Sequence, residues 1–600
     1  MIPANVSADD WTQEAHDNQR TGYTAEDPLL PWSYAWSWNG PDGNGNTTGN
    51  FYTAPLRDAH VITGGNYLYA PAGASGLYAL NIQTGQQVWH YTGGDVQATP
   101  AYDTSTGNVY TSTRDGRIVK LNGNTGSILG TYSTNDTILK PLLLTTDSVI
   151  TTTVQGNVHK INLTTMTKEW TYDAGSEITT TASYSPSTGR IFFGTNDLNV
   201  HAVSSTGQQV WKSKPTVRSA TEYCGLYNYD YRWPVVADIP GVVFIRMRNP
   251  HPFDDGGNTN TEIRNYLTNT PDKQTLFALD TNTGAKKFIP AIQPDGSDHR
   301  PPCNGATGQL FHAISAAPVI KTLNGKQYAY MPWRNSQSSY DARWDGFMGE
   351  MVLDSTSISG YQAGDLRFIQ FKGQIDPNMI ADEIHPVSMA GDTIFHHHTN
   401  NVDSHRITDR SVTKGSTMNT PITTVRNPEL VRHWATSNGL PLNPNKQTHF
   451  NNGLTVYDRY YGDGFWIYQG NLNKEMILSP EIQQGVTESL GAEEGSVNRY
   501  TFVSNGKIIT TGPRGDIFVL NHSGSVIQAT PAPTSVNPTV TMTIKLGDAN
   551  NDNFVDGRDY IIWLVNYGTQ TSNGIQKGDF NTDGTVNGQD YILWLKNYGI

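Results

Sequence analysis

Five stretches of this chain repeat one pattern, the first four at intervals of about forty residues, and that spacing constrains the fold more than any other feature. LYALNIQTGQQVWHY, from Leu77, reads as a strand, an Asn-x-x-Thr-Gly turn and a second strand carrying Trp89. It returns as IVKLNGNTGSILGTY from Ile118, VHKINLTTMTKEWTY from Val158, VHAVSSTGQQVWKS from Val200 and LFALDTNTGAKKFIP from Leu276. From Asn81 to Asn122 is 41 residues, and from Asn122 to Asn162 is 40. Alternating strands with polar turns at this period predict the blades of a β-propeller.

Between the copies the chain supplies inner strands, as in ATPAYDTSTGNVYTSTRDGRIVKL from Ala98, where Asp115-Gly116 is a hairpin signal. A Trp after each Thr-Gly turn is expected to lie on the neighbouring blade and bury the seam between them. With 58 Gly, 32 Pro, 30 Tyr and 14 Trp, composition favours β structure. These repeats resemble the pyrroloquinoline-quinone-like (PQQ-like) propeller superfamily, whose docking motif is Ala-x-Asp-x-x-Thr-Gly-x-x-x-Trp. Ala79, Asn81, Thr84, Gly85 and Trp89 match it, as do Ala278, Asp280, Thr283 and Gly284 with Phe288 nearby. DWTQEAHDNQRTGY, from Asp10, is similar to the superfamily's opening segment, and 496–524 reads as one more blade. If Trp36 and Trp38 lie on a strand that completes the last blade, the two ends of the domain close the ring, and seven or eight blades fit the length.

The carboxyl end carries a second duplication. GDANNDNFVDGRDYIIWLVNYG from Gly547 and GDFNTDGTVNGQDYILWLKNYG from Gly578 are each an acidic loop running into an aromatic, aliphatic helix. Asp548, Asn550, Asp552, the carbonyl of Phe554, Asp556 and Asp559 fall at loop positions 1, 3, 5, 7, 9 and 12. Asp579, Asn581, Asp583, the carbonyl of Thr585, Asn587 and Asp590 repeat the spacing. Alternating oxygens from a tight loop with a final carboxylate at a helix start are how an EF-hand gathers ligands for Ca²⁺, so two calcium sites are expected. Position 6, which must tolerate positive φ, is Asn553 in one loop and Gly584 in the other. The stripes Tyr560, Trp563, Leu564, Tyr567 and Tyr591, Trp594, Leu595, Tyr598 have helical spacing and are expected to pack on each other.

This segment resembles a type I dockerin, a small α-helical calcium module that docks secreted proteins onto cohesin domains. The resemblance implies a cohesin-type partner, selected by loop positions 10 and 11, here Gly557, Arg558, Gly588 and Gln589. The expected organisation is a propeller over 1–528, a Pro/Thr-rich linker over 529–543 containing Pro531, Pro533 and Pro538, and the dockerin-like domain over 544–600.

Formal net charge is −13 with no basic stripe, which argues against nucleic acid as a partner. No apolar run reaches the ~20 residues of a membrane helix. MIPANVSADD has no charged n-region or apolar h-region, so no signal peptide is visible in the chain, yet the calcium loops point to the extracellular space or cell surface. Cys224 and Cys303 are either one disulfide or two buried thiols. They are not adjacent, unlike the vicinal pair of the superfamily's quinone dehydrogenases, so no quinone is expected.

Two readings of the propeller stand. One is a binding platform for a surface protein or polysaccharide. The other is a polysaccharide-active hydrolase or lyase carried by the dockerin, with Asp341, Asp345 and Glu350 as candidate carboxylates. In GDTIFHHHTNNVDSHR, a strand puts His396 and His398 on one face and His397 on the other. The pair either shares a metal with His405, His385 or a carboxylate, or lines a funnel as hydrogen-bonded polar residues.

Overall fold

A computed structural model describes most of residues 9–292, 317–406, 500–522 and 547–598, together with short strands between 423 and 475. The chain divides into two compact units, Met1–Gln528 and Ala529–Ile600.

The larger unit is an eight-bladed propeller, mainly β with few helices. Blades 1 to 7 are the sheets within 62–91, 101–133, 143–173, 183–213, 235–288, 319–369 and 388–426. Blade 8 joins Thr501–Ser504, Lys507–Thr511 and Ile517–His522 to Trp32–Trp38, which pairs antiparallel with Ile517–His522. The ring therefore closes with a strand from the amino-terminal side, and Trp36 and Trp38 are buried in that blade.

The segment before this strand makes one lap of the axis, touching the innermost part of each blade in turn. The Ser504 hydroxyl donates to Asp9 O (2.6 Å), Thr63 N to Trp11 O (3.0 Å) and Tyr102 N to Thr12 O (2.7 Å). Leu144 N donates to Gln13 Oε1 (2.9 Å), Tyr184 N to Asn18 O (2.7 Å) and Val236 N to Gln19 O (2.9 Å). Ile320 N reaches Thr21 O (2.8 Å) and Met389 N reaches Gly22 O (2.9 Å), where Tyr23–Thr24 adds a parallel inner strand to blade 7. Glu26 returns to blade 8, accepting from Gly506 N (2.6 Å) and lying 2.9 Å from His522 Nε2. An inner edge strand would otherwise leave its donors unpaired at the narrow centre of the ring, and this lap satisfies them.

Buried charges fix the lap. Arg20 is fully buried and donates to the carbonyls of Glu14 (2.7 Å), Leu142 (3.0 Å) and Ala182 (3.1 Å), tying the segment to blades 3 and 4. Burial pulls its pKa down to about 10, opposed by the charges of Glu14 and Asp17, so it stays protonated at neutral pH. His16 lies 3.0 Å from Asp9 and 3.4 Å from Asp17. Burial alone lowers its pKa, but the hydrogen bonds and charges of Asp17 and Asp9 prevail and raise it to about 9.

Four seams are built alike. The indole of Trp36, Trp89, Trp170 or Trp211 lies on the turn glycine of the next blade, Gly85, Gly126, Gly207 or Gly284, where an added Cβ would come within 2.6, 2.7, 2.8 or 2.5 Å of the ring. Each indole N–H donates to a carbonyl of that same turn, those of Ile82, Gly123, Ser205 and Thr281, at 2.8–3.1 Å. Between blades 2 and 3 the roles are exchanged: Gly130 stands where the others have Trp, and Met166 stands where they have Gly. A Cβ on Gly130 would lie 2.8 Å from Met166 Cγ, so the seam is filled from the opposite side. The carbonyl of Leu163, placed like those that receive an indole, takes Lys120 Nζ at 2.7 Å. Gly130→Trp alone should overpack this seam and Met166→Gly alone should empty it, each costing about 2 kcal/mol or more. Together they should cost less than either single change, because they restore the arrangement of the other seams. Urea midpoints of the four proteins give the cycle, and simple addition of the two costs would refute the exchange.

The topology also sorts the loops. In a four-stranded antiparallel blade, the turns after strands 1 and 3 share one rim, and the turn after strand 2 shares the other with the blade-to-blade connections. Ile82 N bonding Asn66 O and Arg114 N bonding Asp95 O mark the two rims. Most of the long insertions follow strand 2 of blades 5 and 6 or connect successive blades from blade 4 onward and leave from the second rim, whereas those joining Val352 to Leu366 and Arg406 to Thr423 follow strand 3 of blades 6 and 7 and leave from the first. The helix Asn260–Asn269, α1, belongs to the insertion after strand 2 of blade 5, and its Thr259 and Glu262 form a capping box.

Candidate calcium and docking site

In the smaller unit two helices, Gly557–Asn566 (α2) and Gly588–Asn597 (α3), each follow one of the acidic loops. The second loop is described throughout. Asp579 accepts from Asp583 N (3.1 Å) and Gly584 N (2.9 Å), Asn581 Oδ1 from Asp583 N (3.0 Å), and Asp583 Oδ1 from Thr585 N (2.9 Å). Asp590 accepts from Asn581 N (3.0 Å) and Asn587 N (2.8 Å), and Asn587 caps α3 by accepting from Gln589 N (2.8 Å). Gly584 takes φ of 87°, which turns the loop inward at position 6.

These bonds hold alternate oxygens in a curl without exhausting them, because each carboxylate offers about four lone-pair sites. Asp579 and Asp590 are at most 1% exposed, a costly state for carboxylates served only by amide donors. The hard oxygen set, the tight glycine turn and the buried negative charge fit Ca²⁺, which Asp579, Asn581, Asp583, Asn587, Asp590 and the Thr585 carbonyl would hold. Among the described residues no three His, Cys, Asp or Glu side chains form a metal-holding group by themselves. Of the first loop, Asp548, Asn550, Asp552, Phe554 and Asp556 lie outside the described residues. Asp559 is fully buried and accepts from Ala549 N at 2.8 Å.

The aromatic core has approximate two-fold symmetry. Tyr560 meets Trp594 and Trp563 meets Tyr591, both with centroids 5.1 Å apart, and Tyr560 meets Tyr591 at 6.0 Å across the pseudo-axis. Trp563 to Tyr567 is 5.1 Å, and its counterpart Trp594 to Tyr598 is 5.0 Å. Ala549, Val555, Phe580 and Val586 complete the buried cluster.

The stripes do not pack on each other along their whole width, which corrects the sequence expectation. Leu564, Tyr567, Leu595 and Tyr598 are 52–55% exposed. At about 100° per residue, Leu564 and Leu595 sit a quarter turn from the inward tryptophans, and one neighbouring helix cannot cover both positions. Ile561 and Val565 join the outer face of α2, and Ile592 joins that of α3. Each helix thus presents an apolar face, headed by Gly557 and Arg558 on α2 and by Gly588 and Gln589 on α3. Gln589 is exposed and takes Asn581 Nδ2 at 3.3 Å; the Arg558 side chain lies outside the described residues.

Other candidates fare differently. Glu350 is 1% exposed, lies 2.6 Å from Arg367 Nη2 and accepts from Tyr330 Oη at 2.6 Å, so it is a buried structural anion and no solvent-facing acid. Asp341, Asp345, His385, Cys224 and Cys303 lie outside the described residues. His396, His398 and His405 fall on the paired strands Thr393–His398 and Asn401–Arg406 of blade 7, their side chains outside the described residues. No described helix is long and apolar enough to cross a membrane.

Comparison with known proteins finds two family models. One, described as outer membrane protein assembly factor BamB, matches residues 93–249; the other, the dockerin type I domain, matches 546–598. No curated protein matches the sequence. Among solved structures, BamB from Moraxella catarrhalis is similar at 11% identity, with 82% of this chain and 100% of that one covered and a TM-score of 0.43. A quinohemoprotein alcohol dehydrogenase from Comamonas testosteroni aligns at 12% identity over 90% and 84% of the two chains, TM-score 0.42. At these values neither protein's activity carries over.

Proposed function

We propose that this chain, a PQQ-like β-propeller with a carboxy-terminal type I dockerin, is a binding platform of the extracellular space or cell surface that is mounted on a cohesin. Dockerin domains bind cohesin domains and calcium, and this one has the oxygen-rich loops for two ions. One observation carries the reading: the unit turns two matching apolar faces, Ile561 and Leu564 on α2 with Tyr567 just after it and Ile592 and Leu595 on α3 with Tyr598 just after it, away from its own core. Apolar side chains held outward at equivalent positions of a duplicated module are what a docking partner covers. Gly557, Arg558, Gly588 and Gln589 at the helix starts flank these faces as selectivity positions. Residues 529–543 act as the spacer, and the rim of the propeller that bears most of the long insertions offers the surface for a protein or polysaccharide. The burial of Glu350 removes one support for the alternative of glycoside cleavage.

Because the faces are alike, the cohesin has two equivalent ways to bind. Losing one of two equal modes halves the association constant, about 0.4 kcal/mol. Full-length Leu564→Asp or Leu595→Asp should therefore weaken binding to cohesins of the source organism only about twofold, while the double variant should lose more than a hundredfold. Calorimetric titration in millimolar calcium reads this out. Abolition by Leu564→Asp alone would leave docking intact but refute the two-mode reading; full affinity in the double variant would refute docking through these faces.

A further inference from the structure

Blade 7 brings several potential metal-ligand residue types onto one face of a single pair of strands. Its second and third strands pair with Ile394 opposite His405, His396 opposite Asp403 and His398 opposite Asn401. Directly opposed residues share a face of the sheet, and so do residues two apart on one strand. His396, His398, Asp403 and His405 therefore occupy one face, while His397 occupies the other with Phe395. Three imidazoles and a carboxylate stand on adjacent positions of a single hairpin.

Two further observations locate this face. Ile394, the residue beyond His396 on the same face, is fully buried among Val319, Tyr330 and Met389, so the face looks into the seam with blade 6. Thr393–His398 and Asn401–Arg406 are strands 2 and 3 of the blade, and the connection after strand 2 lies on the rim from which most of the long insertions leave. His396 and His398 thus occupy the positions of this strand nearest that rim.

We propose that His396, His398, Asp403 and His405 form a binding site for a borderline divalent transition metal, Zn²⁺ being the reference ion. A His-x-His pair on one strand with a third His and an Asp on the next offers three neutral nitrogens and one anionic oxygen within a two-strand patch. That set matches Zn²⁺ in ligand type and number, and it is the opposite of the all-oxygen set of the calcium loops. Directly opposed α-carbons stand only about 4.5–5.5 Å apart, and same-strand neighbours two apart about 6.5–7 Å, separations that imidazoles span around one ion. The site is independent of cohesin docking, so the proposal stands or falls apart from that reading.

The test uses the full-length chain with the calcium loops saturated by millimolar Ca²⁺. Titration with Zn²⁺, followed by calorimetry, and with Co²⁺, followed by its visible absorption, should reveal one nitrogen-rich site per chain. His396→Ala with His398→Ala should weaken that site at least tenfold and remove the Co²⁺ bands, whereas His397→Ala, on the opposite face, should change affinity less than twofold. If the double variant fails to fold, judged by loss of the propeller's thermal transition, His405→Gln carries the same expectation. A chain that shows no saturable Zn²⁺ binding, or one that loses as much with His397→Ala as with His396→Ala and His398→Ala, overturns the proposal.

Discussion

Arg20→Ala should destabilise the propeller by about 3–5 kcal/mol, the range for stripping one partner from a buried charged network. The guanidinium serves carbonyls of Glu14, Leu142 and Ala182 at once, and in a fully buried position no water takes its place. Each carbonyl left without a donor costs on the order of 1–3 kcal/mol, so the loss is shared among the axial segment and blades 3 and 4. Arg20→Lys keeps the charge but not the planar fork, and a single ammonium cannot serve three acceptors on separate pieces of chain; it should recover only a minor part of the loss. The reading is the urea midpoint of the propeller's transition at unchanged slope. A change below about 1 kcal/mol for Arg20→Ala would mean that the axial lap adds little to ring closure.

Chelation of calcium should unfold the carboxy-terminal unit and leave the propeller folded. The unit's buried cluster is small, led by Trp563 and Trp594 with Ala549, Val555, Phe580 and Val586, and a core of that size supplies only about 3–5 kcal/mol. Against it stand Asp559, Asp579 and Asp590, each at most 1% exposed. An ion present at a hundred times its dissociation constant stabilises a folded site by about 2.7 kcal/mol, so two filled loops contribute as much as the whole core. Calorimetric scans should show two transitions in calcium and only the propeller's after excess chelator, with far-ultraviolet helical signal lost at low temperature. A lower transition that persists unchanged in chelator would show that the aromatic core suffices. Loss of the propeller's transition would show that the ring also depends on the ion.

The seams were legible in the sequence because their chemistry is local to the repeat. A Trp that follows a Thr-Gly turn at fixed spacing needs a flat, side-chain-free surface, and the next turn glycine provides it. Trp89 on Gly126 and Trp211 on Gly284 follow directly from the forty-residue period. The exchange of Gly130 and Met166 was written in the same alignment, as a missing Trp in one copy and a missing Gly in the next, but it becomes interpretable only when the two positions are seen to touch. The calcium loops were legible for a related reason: loop positions 1 to 12 are adjacent in sequence, so ligand spacing survives in one dimension. The outward turn of Leu564, Tyr567, Leu595 and Tyr598 was not, since helical periodicity shows which residues share a stripe and not how much of that stripe a single neighbouring helix covers.

By itself the sequence determined the blade, its turn chemistry, the docking tryptophans, the oxygen pattern of the calcium loops and the duplication of the carboxy-terminal module, all features whose partners lie within one repeat or at the matching position of the next. Only the tertiary structure decided that there are eight blades, that residues 9–26 travel once around the axis, that Glu350 is locked to Arg367, and that the rim bearing most of the long insertions is also the rim at which strands 2 and 3 of blade 7 connect. The reason is sequence separation. Asp9 meets Ser504 across 495 residues and Arg20 meets Ala182 across 162, and no local pattern of side chains records contacts made by closing a ring.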